Sequence, residues 1–148
     1  MEAYPGYFAV GQSLYGSYAP QLVINGHRIG KEVIMMIHVY LDDYRRCPEG
    51  FVLARNAEEC LLLLEHEQVG ILSLDHDLGE NERTGTELVR EMVVRGLYPQ
   101  TAIYLHTSSM IGRKRMFEML YVNKPEHVEL SNGPMPESLL MQIRGNRV

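Results

Sequence analysis

Several features that would assign a chain to a common functional class are missing from this sequence. It has no apolar run long enough to span a bilayer, and its first residues lack the basic and apolar regions of a signal peptide. Its formal net charge is −5, which does not indicate the basic surface of many nucleic-acid-binding proteins. We therefore expect a cytoplasmic protein that does not bind membranes.

Cysteine is scarce as well. Cys47 and Cys60 are far apart in the chain and do not have the spacing of metal ligands. Neither a disulfide framework nor a zinc site is indicated, and we interpret both residues as free thiols.

The length and the composition are those of a single globular domain. The chain has 148 residues, of which 45% are hydrophobic and 22% are charged, and it is long enough to bury a sizeable core. Residues 1–30 differ from the rest because they are rich in tyrosine and glycine and show no helical period. We expect an N-terminal extension over 1–30 and an α/β domain over 31–148.

The extension contains one recognisable turn. Residues 22–29 predict a hairpin, because Asn25 and Gly26 suit the positive φ angles of a tight turn. We expect the extension to pack on the domain or on a second copy, as in a homodimer, or to be a partly disordered tail.

The remaining sequence alternates between apolar strands and helices. Asn56 and Thr84 suit helix N-caps, and Gly70 and Gly96 are predicted to end the two helices. The predicted strands are 33–41, 51–54, 71–74, 101–105 and 128–130, and the predicted helices are 57–67, 85–95, 113–121 and 136–143. This order predicts a mostly parallel central sheet between two layers of helices. The connection 44–50 is too short for a helical crossover, so the first helix is missing or the strand order changes.

Polar residues follow three of the predicted strands. Asp42 and Asp43 end the first strand, Asp75 ends the third, and His106 and Thr107 follow the fourth. Ligands of open parallel sheets bind at the carboxyl ends of the strands. We therefore expect these residues to form one active surface.

The aspartates favour a divalent ion. The adjacent carboxylates of Asp42 and Asp43 repel each other unless a cation lies beside them, although such a pair also occurs at helix caps and in solvated turns. Asp75 and Asp77 point the same way if the chain stays extended, which leaves open which of them is the central ligand. Together the four acids predict a site for Mg²⁺ or Mn²⁺.

Two histidines are candidates for proton transfer. His106 precedes the hydroxyls of Thr107 and Ser108, which can donate hydrogen bonds to phosphoryl oxygens. The alternative for His106 is a packed, hydrogen-bonded side chain. His76 is a candidate ligand, a candidate base or a spacer between two acids. We predict catalytic roles for Asp75, His76 and His106.

Arginines near these positions are candidates for phosphate binding. Arg45 follows the acidic pair, and Arg113 opens the predicted helix 113–121, whose N-terminus favours anions. The planar guanidinium matches the oxygens of a phosphate. The alternative is that these arginines pair with surface acids.

These residues resemble a known family. The Asp42-Asp43 pair, Asp75, Thr107 and the alternating α/β order are similar to the receiver domain of response regulators. In that family the acidic pair and a phospho-accepting aspartate bind Mg²⁺, and a Thr or Ser and a Lys contact the phosphoryl group. A closer resemblance, over about residues 35–120, is to the receiver-like family proposed to process cyclic phosphates. It rests on 41–48, 73–79, 84–85 and 106–108, with 112–113 and 116.

The resemblance implies a flavodoxin-like fold and metal-assisted opening or hydrolysis of a cyclic phosphate. The implied partner is a phosphate-containing small molecule, such as a 2′,3′-cyclic nucleotide, or an RNA end. Two alternatives stay open: a switch that accepts a phosphoryl group on Asp75, and a non-catalytic nucleotide-binding or protein-binding module. Lys124 precedes a proline as in receivers but follows a predicted helix, which leaves its place relative to the site open. Histidines at two strand ends favour the enzyme, because a receiver needs neither.

Overall fold

The computed structural model contains two β-sheets, and the structure describes residues 7–8, 21–24, 27–29 and 35–146. The smaller sheet is antiparallel, with the order β1 (Tyr7–Phe8), β2 (Gln21–Ile24) and β3 (His27–Ile29). Ile24 pairs with His27, which is the register of a hairpin with a two-residue turn. The predicted turn residues Asn25 and Gly26 lie outside the described residues, and the domain boundary at residue 30 stays a prediction.

The larger sheet is parallel and has five strands. They are β4 (Ile37–Leu41), β5 (Phe51–Ala54), β6 (Val69–Leu74), β7 (Ala102–Leu105) and β8 (Glu129–Ser131). Their order across the sheet is β5-β4-β6-β7-β8, with every neighbouring pair parallel. This is the doubly wound order of flavodoxin-like folds, and it confirms the predicted fold class.

Within the described residues, four helices accompany this sheet: α1 (Ala57–His66), α2 (Gly85–Arg95), α3 (Met110–Asn123) and α4 (Glu137–Gly145). Thr84 and Glu87 form a complete capping box on α2, and Gly96 ends that helix in the left-handed conformation. The predicted N-caps Asn56 and Thr84 are therefore confirmed. None of the helices in the described residues is both long and apolar enough to cross a membrane.

Some predicted boundaries were wrong. The strand predicted from residue 33 begins at Ile37, and residues 33–34 lie outside the described part of the chain. Helix α1 ends at His66, so Gly70 does not stop it but lies inside β6. Helix α3 begins before residue 113, because the Ser109 hydroxyl accepts the Gly112 N–H and caps the helix at Ser109.

The two faces of the parallel sheet are covered unequally. Helices α1, α2 and α3 pack their apolar side chains on one face and form the main core. On the other face α4 contributes Leu139, Leu140 and Ile143 to a smaller cluster around Tyr40 and Ile71. Residues 42–50 join β4 to β5 without a helix, which confirms that the first crossover helix is missing.

Strand β6 carries an extra residue opposite β4. Ile37 pairs with Val69, whereas Val39 pairs with Leu72, so the register shifts by one residue between them. The N–H of Ile71, in the bulge, donates to His38 Nδ1 at 3.0 Å. A Cβ atom at Gly70 would lie 2.8 Å from His38 Cε1, so the bulge needs glycine at this position.

Candidate active site

Asp42 is the buried centre of the candidate site, directly after β4. Its Oδ1 accepts the backbone N–H groups of Tyr44 and Arg45, each at 2.8 Å. Its Oδ2 accepts from Arg45 Nη1 and His106 Nε2, each at 2.9 Å. Burial by itself would raise the pKa of Asp42, but the hydrogen bonds from Arg45, Tyr44 and His106 together hold that pKa below its usual value. Asp42 is therefore a carboxylate at neutral pH.

Arg45 bridges the two strand ends. Its Nη1 also lies 3.2 Å from Asp75 Oδ2, and its Nη2 lies 3.5 Å from the Ser108 hydroxyl. Asp75 is buried at the end of β6, and its Oδ1 accepts the N–H of His76 at 2.8 Å. Arg45 is predicted to bind phosphate, and in the structure its guanidinium contacts both aspartates and offsets their charge.

His106 is held on three sides. Its Nδ1 lies 2.7 Å from the Ser73 hydroxyl, its Nε2 contacts Asp42, and its ring stacks on Tyr40 with the centroids 4.2 Å apart. Because a carboxylate only accepts, Nε2 carries the proton and Nδ1 accepts from Ser73. Burial lowers the pKa of His106 against the opposing effect of Asp42, so the ring is neutral at neutral pH. Both ring nitrogens have partners within the protein, and the geometry is that of a side chain that positions Asp42.

His76 lies between the first turns of α2 and α3. Its Nδ1 lies 3.0 Å from the Thr86 hydroxyl, and its Nε2 lies 4.0 Å from Asp77 Oδ1. A Cβ atom at Gly112 would overlap with the imidazole ring, and one at Gly85 would overlap with the backbone of Asp75 and His76. These glycines therefore let the helix ends approach the loop. Within the described residues, Nε2 is the ring nitrogen left without a short hydrogen bond.

Three carboxylates converge on one point. Asp42, Asp43 and Asp75 each offer an oxygen within 4.8 Å of the others. Carboxylate oxygens are the ligands that hard divalent cations prefer, so the donor set fits Mg²⁺ or Mn²⁺. Asp77 does not join this group in the described part of the chain, because its side chain is 73% exposed and points toward His76.

The predicted phosphate-binding residues are dispersed. Ser108 is exposed beside Arg45, whereas Thr107 is buried and its hydroxyl accepts the Ser109 N–H at 3.1 Å. Thr107 therefore shapes the turn before α3. Arg113 is the fourth residue of α3, so its backbone N–H already donates to Ser109 and is not free to bind an anion. Its side chain lines a separate cleft of about 450 Å³.

Lys124 lies at the opposite edge of the sheet. It follows the last residue of α3 and precedes β8, whereas the acidic residues follow the carboxyl ends of β4 and β6. The residues that follow β8 at the acidic edge are Asn132 and Gly133. The structure therefore does not bring Lys124 together with the aspartates.

Sequence reasoning missed Ser73, Thr86 and Tyr40. For Ser73 the sequence does carry a signal, because it is the hydroxyl residue within the otherwise apolar stretch 69–74. In the structure Ser73 is fully buried. Such a residue needs a partner, and here the partner is a catalytic candidate. No comparable signal identifies Tyr40 or Thr86, because their roles depend on contacts across the sheet edge.

Comparisons with known proteins identify one family. The sequence model described as cyclic-phosphate processing receiver domain matches residues 37–122. No curated protein matches the chain significantly. Among solved structures, a CheY-like response regulator receiver domain protein from Methanospirillum hungatei JF-1 is 16% identical, with a TM-score of 0.45 over 75% of this chain and 93% of that one. The phosphorylated cyanobacterial phytochrome response regulator RcpA is 14% identical, with a TM-score of 0.44 over 75% and 91%.

Proposed function

The chain belongs to the family of cyclic-phosphate processing receiver domains, and from this premise we propose that it opens or hydrolyses a cyclic phosphate with a divalent ion. The observation that carries the proposal is the convergence of Asp42, Asp43 and Asp75 with Arg45 beside them. This cluster lies at the carboxyl edge of the parallel sheet, where ligands of such folds bind.

The three aspartates would hold Mg²⁺ or Mn²⁺. Such an ion, when bound, polarises the phosphoryl group and lowers the pKa of a coordinated water. Asp42 is oriented by the N–H groups of Tyr44 and Arg45 and by His106, whereas Asp43 is exposed and has room to adjust to the ion. The protein thus combines one rigid ligand with one adaptable ligand.

Arg45 and Ser108 would bind the phosphate oxygens. A cyclic phosphodiester is an anion, and further negative charge develops on its oxygens as water attacks. The Arg45 side chain is 39% exposed, and its Nη2 lies near the Ser108 hydroxyl. A guanidinium that reaches solvent beside a hydroxyl suits a phosphoryl group.

His76 is the better candidate for proton transfer. Ring opening leaves an alkoxide that needs a proton, and the donor must have a ring nitrogen that can reach the substrate. His76 Nε2 has no short hydrogen bond within the described residues and would be the donor, and the Thr86 hydroxyl at Nδ1 fixes the ring orientation. His106 would act through Asp42, as a positioning residue.

The proposed substrate is a 2′,3′-cyclic nucleotide or an RNA end that carries this group. A cytoplasmic location and a homodimer through the N-terminal extension stay predictions.

Turnover of a panel of cyclic phosphates tests the proposal. We expect wild type to release product with Mg²⁺ and not with chelator, and Asp75→Asn to release none. His76→Gln should slow turnover by about 10²-fold or more, whereas the exposed control His127→Gln should match wild type. Labelling of Asp75 by a small phosphodonor, without turnover of any cyclic phosphate, would instead establish the switch.

A further inference from the structure

The acid cluster already contains a cation, the guanidinium of Arg45. Its Nη1 lies 2.9 Å from Asp42 Oδ2 and 3.2 Å from Asp75 Oδ2, so one nitrogen bridges the two carboxylates. A magnesium ion bound by the same two oxygens would lie about 2.1 Å from each of them. Such an ion and Nη1 would therefore compete for the same two carboxylate oxygens.

Asp42 has no acceptor site to spare. Its two oxygens accept four hydrogen bonds, and a carboxylate offers about four lone-pair sites. An ion can bind Asp42 only if one of the four donors leaves.

The donor that can leave is the Arg45 side chain. The two backbone N–H groups belong to residues two and three positions after Asp42, in the turn that wraps its carboxylate. The His106 side chain is only 6% exposed and is held by Ser73 and Tyr40. The Arg45 side chain is long and 39% exposed, so it is the one of these donors that can move into solvent without unfolding the turn or the core.

We propose that a divalent ion displaces the Arg45 guanidinium from Asp42 and Asp75, and that the released guanidinium then binds the phosphoryl group. The Ser108 hydroxyl, 3.5 Å from Nη2, is exposed and could bind the same phosphoryl group. The identity of the ion and the anion rests on the proposed function, whereas the competition rests on the contacts of Arg45. Metal and phosphate binding are then coupled, because each favours the same position of Arg45.

Arg45→Gln is the direct variant, and Arg46→Gln is its matched control. Both remove one positive charge from adjacent positions. Arg46, however, is exposed and lines a different cleft, beside α4. We expect Arg45→Gln to bind Mn²⁺ more tightly than Arg46→Gln, by about tenfold or more, because the variant lacks the two charge-assisted hydrogen bonds, to Asp42 and Asp75, that the ion must break.

A second readout separates displacement from simple charge removal. Inorganic phosphate should tighten Mn²⁺ binding to wild type and to Arg46→Gln by a larger factor than to Arg45→Gln, which lacks the group that links the two ligands. Free Mn²⁺ is counted by its electron paramagnetic resonance signal, and circular dichroism checks folding. If Arg45→Gln does not fold, Arg45→Lys takes its place and should also bind Mn²⁺ more tightly than Arg46→Gln, because an ammonium has no planar fork.

The outcomes distinguish this inference from the proposed function. If the folded Arg45 variant binds Mn²⁺ no more tightly than Arg46→Gln does, the proposed displacement is wrong, although the metal site itself is still supported. An equal effect of phosphate on all variants would also overturn it. If neither wild type nor any variant binds Mn²⁺, both the displacement of Arg45 and the proposed metal-dependent function are wrong.

Discussion

Ser73 holds the imidazole that in turn holds Asp42. Its hydroxyl is fully buried in β6 and lies 2.7 Å from His106 Nδ1, on the far side of the ring from the carboxylate. The arrangement resembles a proton relay, but no substrate can reach a buried serine. We interpret the chain Ser73–His106–Asp42 as a support that fixes one ligand of the candidate metal site.

Removal of the Ser73 hydroxyl should therefore weaken the fold. Ser73→Ala leaves His106 Nδ1 buried without a donor, and we expect the free energy of unfolding to fall by about 1–3 kcal/mol. Ser131→Ala is the control, because the Ser131 hydroxyl makes no hydrogen bond in the described residues. Urea unfolding measures both. Equal stability of the two variants would contradict the role given to Ser73.

Gly112 sets the position of His76. Gly112→Ala places a Cβ atom inside the imidazole ring, so the ring or α3 must move. We expect a loss of about 1–3 kcal/mol of stability and a slower reaction. Gly145→Ala, a helical site with nothing within 4 Å of the added Cβ, should change neither. The double variant Gly112→Ala/His76→Ala should be more stable than Gly112→Ala in thermal unfolding. If it is not, the added Cβ atom does not clash with His76.

The loop 42–50, which joins β4 to β5, forms part of the candidate site. An ordinary crossover helix after β4 would carry the chain away from the sheet edge, whereas this loop turns back over Asp42. The turn delivers two backbone N–H groups and the Arg45 side chain to the same carboxylate. Loss of the helix is thus linked to the charge pattern of the candidate site.

The His38 side chain, which contacts the bulge in β6, should make the stability of the fold depend on pH. Burial lowers the pKa of His38 below its ordinary value of 6.5, and its Nδ1 accepts the Ile71 N–H. The unfolded chain therefore binds a proton that the folded chain resists, so the free energy of unfolding falls as the pH drops through 6.5. His38→Asn keeps an acceptor but cannot titrate, and its stability should fall less between about pH 7 and about pH 5.

Urea unfolding across this pH range provides the check. For the exposed control His127→Gln, the free energy of unfolding should change with pH as it does in wild type. Part of the slope should persist in His38→Asn, because the pKa of His106 is also lowered by burial. If the stability of His38→Asn depends on pH as steeply as that of wild type, His38 does not contribute to this pH dependence.

The sequence was informative where the determinants are local. The capping residues Asn56 and Thr84 and the acids after β4 and β6 are evident in the sequence. Gly70 was misinterpreted as a helix stop, because what requires a glycine at this position is the His38 ring on a neighbouring strand. The start of α3 was missed because three successive hydroxyl residues, 107–109, could each cap it, and only the folded chain selects Ser109.

The details of the candidate site were less predictable. Asp77 and Asp75 both follow β6, but the chain does not stay extended beyond Asp75, and Asp77 faces solvent. Arg45 was expected near a phosphate, whereas its carboxylate partners come from two strands. Sequence spacing does not reveal such a contact, since Arg45 and Asp75 are 30 residues apart.

For the molecule as a whole, an ion that binds only the folded state should stabilise it. Three carboxylates held close together repel one another, and a divalent ion between them removes that repulsion. At an ion concentration of about 100 times the dissociation constant, the gain is about 2.7 kcal/mol. We expect Mg²⁺ to raise the melting temperature of wild type and to have little effect on Asp75→Asn. An equal rise in both would place the ion elsewhere.

The most direct measurement is ³¹P NMR of a 2′,3′-cyclic nucleotide incubated with the protein and Mg²⁺. With wild type we expect the cyclic phosphate resonance to be replaced by that of a phosphomonoester, and with chelator or with Asp75→Asn we expect it to persist. A cyclic resonance that persists with folded, metal-bound wild type, for this nucleotide and for other cyclic phosphates, would show that the protein does not process cyclic phosphates.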